Sequence, residues 1–371
     1  MTRENSTARY AYIDFLRVFS ILLVILLHCI GGYWFDPNHI DRPLWKITAY
    51  ANELCRVGVP LFFMMSGFLL LNRNIEKVGT FYKRRFLKIA GPFLLYDIFY
   101  YLALPMSAEP RSFFGWLKEL LNSGSAYHLW FIYSILLLYL FVPFIRKIIE
   151  NAKSGELFLF FILCIFQSTI KPLFNTILAG KAYLYLSDDG FVGYLGYMIL
   201  GYILGKSVVS GKLRGALYAA GILSFIVCPL FVMQNLRDGK AVWLNGGYTV
   251  NHYLEAAALF CLCKNRISRS NSLLSRLSGL SMDTYFIHVF VLETVKKFGG
   301  GGVHSFGADG LALPYNGHGR FSLGADQNDG GMCREKTGGV SSRNKNINFF
   351  RGFLNREERI RTFRMYAPRC L

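Results

Sequence analysis

Residues 12 to 28 read Tyr12-Ile-Asp14-Phe-Leu-Arg17-Val-Phe-Ser-Ile-Leu-Leu-Val-Ile-Leu-Leu-His28, an apolar run with ionisable side chains near both ends. Coiled as a helix, the 11 residues from Arg17 to His28 return to within about 20° of the same face and climb ~16 Å. Asp14 lies one turn below Arg17 on that face. Each charge would cost roughly 2.5–3.5 kcal/mol or more at the centre of a bilayer, so the face is expected to look into a protein interior or a wet cavity. The plainer alternative is an interfacial Asp14/Arg17 pair with His28 as a satisfied interior histidine. A cleaved signal peptide is disfavoured, because Asp14 and Arg17 interrupt its start and no small-residue cleavage site follows Cys29-Ile-Gly31.

The rest of the chain continues the pattern. Of 371 residues, 53% are hydrophobic and only 17% charged, against roughly 25% charged in an ordinary soluble domain. Apolar segments at about 12 to 33, 54 to 71, 86 to 106, 128 to 145, 157 to 174, 189 to 209, 214 to 236, 248 to 263 and 280 to 298 read as nine spans. The expected fold is all-α, a polytopic transmembrane helix bundle formed by residues 1 to 298. With the N-terminus in the cytoplasm, the inner segments carry 18 Lys and Arg and the outer ones 9, the asymmetry of the positive-inside rule. The formal charge of +18 is thus mostly topological, facing lipid headgroups and phosphorylated ligands rather than nucleic acid. Beyond Phe298 the composition shifts: residues 299 to 371 hold 14 glycines and 9 Arg to 2 Lys. This tail is read as disordered or unrelated to the bundle, as a frameshift or fusion would leave it. The eight cysteines lie mostly within apolar runs and read as buried free thiols.

Further polar groups punctuate the spans. Ser66-Gly67 permits close helix approach and, at the depth of Arg17, one wall of a site. Lys83, Arg84, Arg85 and Lys88 set four cations at the inner surface, either as a topology anchor or as a binder of polyanion phosphates. His128 and Trp130 open the fourth span at its outer face, where Trp130 suits the aromatic belt and His128 is placed to meet an extracytoplasmic acceptor. Asp97, Glu255, Asp283 and His288 also lie within spans. His288, about 8 residues into the last, is placed to approach the interior that His28 faces, and two such histidines suit proton transfer. No metal-ligand spacing, nucleophile elbow, P-loop or dinucleotide fingerprint is present.

Taken in order, Tyr12-Ile-Asp-Phe-Leu-Arg with its Arg-x10-His spacing, Val59-Pro-Leu-Phe-Phe-Met-Met-Ser-Gly-Phe, Tyr82-Lys-Arg-Arg-Phe, His128-Leu-Trp-Phe and Tyr285-Phe-Ile-His288 resemble the bacterial membrane-bound acyltransferase 3 family over roughly residues 8 to 298. That family includes O-acetyltransferases of surface glycans. The resemblance implies a ten-helix bundle in the bacterial cytoplasmic (inner) membrane that takes acetyl from acetyl-CoA and delivers it to a hydroxyl of a cell-envelope polysaccharide or lipid-linked glycan, with no permanently bound cofactor. Family functional positions map onto Arg17, His28, Ser66-Gly67 and Arg84/Arg85. The chain departs from the family pattern at its end, where a tenth helix and an esterase-like domain are missing.

On this reading His28 acts as general base or transient acyl carrier, and Arg17, oriented by Asp14, steadies developing negative charge. The loop from Lys83 to Lys88 holds the CoA phosphates. Two other classes compete: a multi-pass transporter or exporter using intramembrane His, Asp and Glu as a proton relay, though no internal repeat is evident, and a structural component of a glycan-synthesis complex.

Overall fold

The computed structural model describes residues 10–73, 77–104, 111–122, 124–170, 190–238, 244 and 246–298. The tail from 299 onward, and with it the expectation of a disordered or unrelated segment, lies outside the described residues. Those that are described are helical, joined by turns and short loops, without a strand among them. The helices are α1 (Ala11–Trp34), α2 (Pro43–Arg56), α3 (Gly58–Leu71), α4 (Val78–Ala103), α5 (Phe113–Asn122), α6 (Trp130–Asn151), α7 (Ser154–Ile165), α8 (Gly190–Lys206), α9 (Gly211–Arg237), α10 (Val250–Arg266) and α11 (Ser272–Phe298).

Each apolar segment of the sequence contains a helix, but not every helix is a span by its own length and composition. Ala11–Trp34, Pro43–Leu71, Val78–Ala103, Tyr127–Asn151 and Gly211–Arg237 are long and apolar enough to cross a membrane. α8 and α10, with 17 residues each, rise ~25 Å, short of a ~30 Å hydrocarbon core. α7, continued by a π-helical turn over Phe166–Ile170, is likewise short within the described residues. Among the described residues, helix length and apolarity thus support five of the nine spans read from the sequence.

Two boundaries also move. The outer segment expected between residues 32 and 56 contains α2, entered through Pro43 at the first helical turn, where a missing N–H costs nothing. Its buried residues Trp45, Thr48, Ala49 and Asn52 recur at helical spacing. Only Val57 separates it from α3. The last helix begins at Ser272, well before the apolar segment that marks it in sequence, because its first two turns are amphipathic rather than greasy. Among the described cysteines, Cys55, Cys164, Cys261 and Cys263 are buried as expected, whereas Cys29 is exposed.

α1 is packed by α2, α3, α10 and α11, and α3 by α8. The α3/α8 crossing brings backbones together. A Cβ on Gly67 would lie 1.9 Å from the carbonyl oxygen of Met198, and one on Gly201 2.1 Å from that of Met64. Without a hydrophobic drive between helices in lipid, such small-residue contacts carry association. Because backbone rather than a movable side chain fills the space, Gly67→Ala and Gly201→Ala should each destabilise the protein by at least ~2 kcal/mol, at the upper part of the overpacking range. Lowered thermal midpoints of the detergent-purified variants are the measurement that checks this.

Candidate functional site

α1 reaches two separate sites. Near its start, Asp14 is buried and its carboxylate accepts hydrogen bonds from Ser278 Oγ on α11 (2.7 Å) and, at the limit of reach, from Ser270 Oγ (3.5 Å). Arg17 Nη1 lies 4.0 Å from Asp14 Oδ1, and its side chain remains 38% exposed. It lines a cavity of about 260 Å³ together with Ser66 of α3, Arg73, Arg85 and Lys88 of α4, and Tyr139 of α6. Four cations thus surround one hydroxyl-bearing wall, where Ser66 Oγ and Tyr139 Oη are 3.4 Å apart.

The basic run divides at this cavity. Arg85 and Lys88, three residues apart, share a helix face and line it. Lys83 and Arg84 are exposed and do not. The Ser66-Gly67 pair divides as well: Ser66 faces the cavity and Gly67 packs against Met198. Arg73 gives no distinguishing signal in sequence, since a cation just after an apolar run reads as a topology anchor.

About 16 Å further along α1, His28 meets two other histidines. Its ring centroid is 5.3 Å from that of His288 in a stacked arrangement, and His288 is 5.0 Å from His128, edge to face. Tyr127, Tyr100 and Tyr285 complete the aromatic surround. His28 is half-buried, while His128 and His288 are buried. Among the described residues, neither ring nitrogen of His128 nor Nε2 of His288 has a hydrogen-bond partner. The Nδ1 of His288 donates to the Tyr285 carbonyl at 2.7 Å. That bond places the proton on Nδ1 and leaves Nε2 with a free lone pair. Sharing a helix face does not bring Arg17 and His28 to one reacting centre, because the rise between them is too long. The three histidines do meet, and His128, read from the sequence as opening the fourth span at its outer face, is buried among them. Trp130 stays apart, half-buried and stacked on Tyr194 (5.7 Å).

The supports of the cluster are specific. Asp97, buried in α4, accepts from Trp116 Nε1 (2.7 Å), the Ser125 amide (2.7 Å) and Ser125 Oγ (3.0 Å). It clamps the segment leading into Tyr127–Leu129, the single 3-10 turn that carries His128. The Tyr285 hydroxyl donates to the carbonyl of His128 itself. On α11, the Tyr100 hydroxyl donates to the Phe286 carbonyl (2.7 Å) and accepts from the Phe290 amide (3.1 Å). It thereby ties α4 to the main chain of the turn of α11 that presents His288. Tyr100 is not conspicuous in sequence, being one of several aromatics between Tyr96 and Tyr101.

The fold and these two sites define a membrane-embedded helical protein with a basic cavity at one end and a histidine cluster further along. Its residues 10–313 match the acyltransferase domain of the acyltransferase 3 family, and the chain belongs to that family. The match runs past the bundle boundary placed at residue 298. Two curated relatives, both amino-acid racemases of Enterococcus faecalis, are 28% identical over 146 residues (36% of this chain, 17% of the relative) and 27% identical over 131 (32% and 17%). The chain therefore spans less than a fifth of the length of these relatives. No solved structure matches.

Tyr100→Phe removes the hydroxyl that fastens α4 to the Phe286 carbonyl and the Phe290 amide, which loosens the placement of His288. Acyl transfer is expected to fall at least tenfold while stability changes by about 1 kcal/mol, the net worth of a hydrogen bond. Transfer rates alongside thermal midpoints check it, and equal losses in both would mark Tyr100 as merely structural.

Proposed function

We propose that this acyltransferase takes an acetyl or other short acyl group from cytoplasmic acetyl-CoA and passes it to a hydroxyl of a cell-envelope glycan, in the bacterial inner membrane with its N-terminus in the cytoplasm. The observation that carries this reading is the division of labour along α1, with Arg17 in the basic cavity and His28 in the histidine cluster. A donor whose thioester ends a long flexible arm, anchored by phosphates, suits two sites so separated. Arg17, Arg85, Lys88 and Arg73 supply charge-assisted donors for phosphate oxygens, and the guanidinium groups bind them in bidentate fashion.

At the histidine cluster, His28 is the most accessible imidazole and the candidate general base. It accepts the proton of the acceptor hydroxyl as the oxygen bonds to the thioester carbonyl carbon. Collapse of the tetrahedral adduct breaks the carbon–sulfur bond, and the imidazolium returns its proton to the departing thiolate. Stacked against His28, His288 with Nδ1 held by Tyr285 offers a second basic nitrogen for orientation or proton exchange. The role of Arg17 moves from stabilising charge at the reacting carbonyl to holding the donor.

His28→Ala at matched membrane levels should lower glycan acetylation in cells by about 10²–10⁴, the usual contribution of a general base; undiminished acetylation removes it from the chemistry. Arg85→Gln combined with Lys88→Gln should raise KM for acetyl-CoA at least tenfold with little change in kcat, while Lys83→Gln with Arg84→Gln leaves KM near the parent value. Labelled acetyl-CoA supplied to inverted membranes should place label on glycan. Glycan movement without label would instead identify an exporter.

A further inference from the structure

Outside both sites, α2, α9 and α10 enclose a second set of buried polar groups: Glu53 (1% exposed), His252 (0%) and Glu255 (5%). One ligand-capable atom of each lies within 4.8 Å of the others. Its internal bonding leaves electron pairs facing one another. The Nδ1 of His252 lies 2.9 Å from the Gly246 carbonyl, so it carries the proton and Nε2 presents a lone pair. That lone pair is 3.7 Å from Glu53 Oε1. Asn251 Nδ2 reaches that nitrogen only at 3.5 Å, at the limit of a hydrogen bond, since its two hydrogens are engaged more closely by Glu53 Oε1 (2.7 Å) and the Leu244 carbonyl (3.1 Å). Glu255 Oε1 accepts from Ser224 Oγ (2.9 Å), and Oε2 has no partner among the described residues. The adjacent Asn251 Oδ1 is buried and unpartnered too.

Two buried carboxyl groups and an imidazole lone pair need a cation, or a proton held by the carboxyl pair, between them. Arg56, three residues along α2, brings one charge to this neighbourhood for two carboxylates. We propose that Glu53, His252 and Glu255 bind one divalent first-row transition-metal ion, Zn²⁺ or Mn²⁺, bracing α2 against α10. The imidazole hydrogen-bonded through its other nitrogen to a backbone carbonyl is the usual outer support of a metal-bound histidine. A donor set of two carboxylates and one imidazole suits Zn²⁺ or Mn²⁺ better than the oxygen-only preference of Ca²⁺ or Mg²⁺. Tetrahedral zinc with bonds of 2.0–2.1 Å holds its ligand atoms about 3.3 Å apart, so the His252–Glu53 separation needs only a small contraction. Glu53 lies some two hundred positions from its partners, which is why no ligand spacing marks the site in sequence. The proposal is independent of the acyl-transfer reading.

The full chain, purified in detergent without chelator, should carry close to one equivalent of zinc or manganese by elemental mass spectrometry. Stripping the metal should lower the thermal midpoint, and ZnCl2 or MnCl2 should restore it with saturation. His252→Gln and Glu255→Gln should lose at least nine-tenths of the bound metal and the midpoint response, whereas His28→Ala retains both. Should the two variants fail to fold, X-ray absorption at the metal edge of the parent protein decides: one imidazole among oxygens supports this site, and several imidazoles place the metal at the histidine cluster and overturn it. A parent chain that is metal-free and indifferent to both salts overturns it as well, leaving a proton between the Glu53 and Glu255 carboxyl groups in place of the metal.

Discussion

The pairing of α1 with α11 is the constraint on which the arrangement depends. The two helices run in the same direction, joined near their starts by Ser278 donating to the buried Asp14 carboxylate and further along by the stacked rings of His28 and His288. In lipid neither end could exist on an isolated helix, because an unsatisfied carboxylate or imidazole there costs several kcal/mol. The polar residues that make α1 look unfit for a membrane are therefore those that specify which helix it must pack against. The same contact hands Arg17 to the basic cavity and His28 to the histidine cluster.

Around this pair the remaining helices act as positioning devices. Asp97 on α4 holds the entry to the turn bearing His128, and Tyr100 on the same helix is bonded to the main chain of the turn of α11 that bears His288. Tyr285 then ties α11 to the backbone of His128. His128 and His288 are held through main-chain contacts, with the His288 Nδ1 engaged by the Tyr285 carbonyl and its Nε2 left without a partner among the described residues. Backbone-to-backbone contact of α3 with α8 at Gly67 and Gly201 fixes the wall that presents Ser66 to the basic cavity.

Legibility in the sequence followed the range of the interactions. The helical class, the position of α1, and the importance of Arg17 and His28 came from local spacing and from the cost of charge in lipid, both functions of neighbouring residues. The basic run at Lys83 to Lys88 was legible as a cluster, but which cations face inward depends on how α4 is rotated against α3 and α6. Helix α2 was hidden because half-buried amphipathic segments are averaged away by hydropathy. The burial of His128 beside His288 was not legible, because it follows from a clamp on Ser125 by Asp97, 31 positions before His128 in the chain.

The amino-acid order alone settled that the chain is a helical membrane protein with a charged face on its first helix, since apolar run length and period are local properties. It also carried the ordered motifs of the acyltransferase 3 family, now matched over residues 10–313. The fold decided that Arg17 and His28 serve different sites, that His128 joins His28 and His288, and that Glu53 meets His252 and Glu255. Each of those depends on helices distant in the chain meeting at a given depth and rotation, and on buried polar groups finding partners that lipid cannot supply.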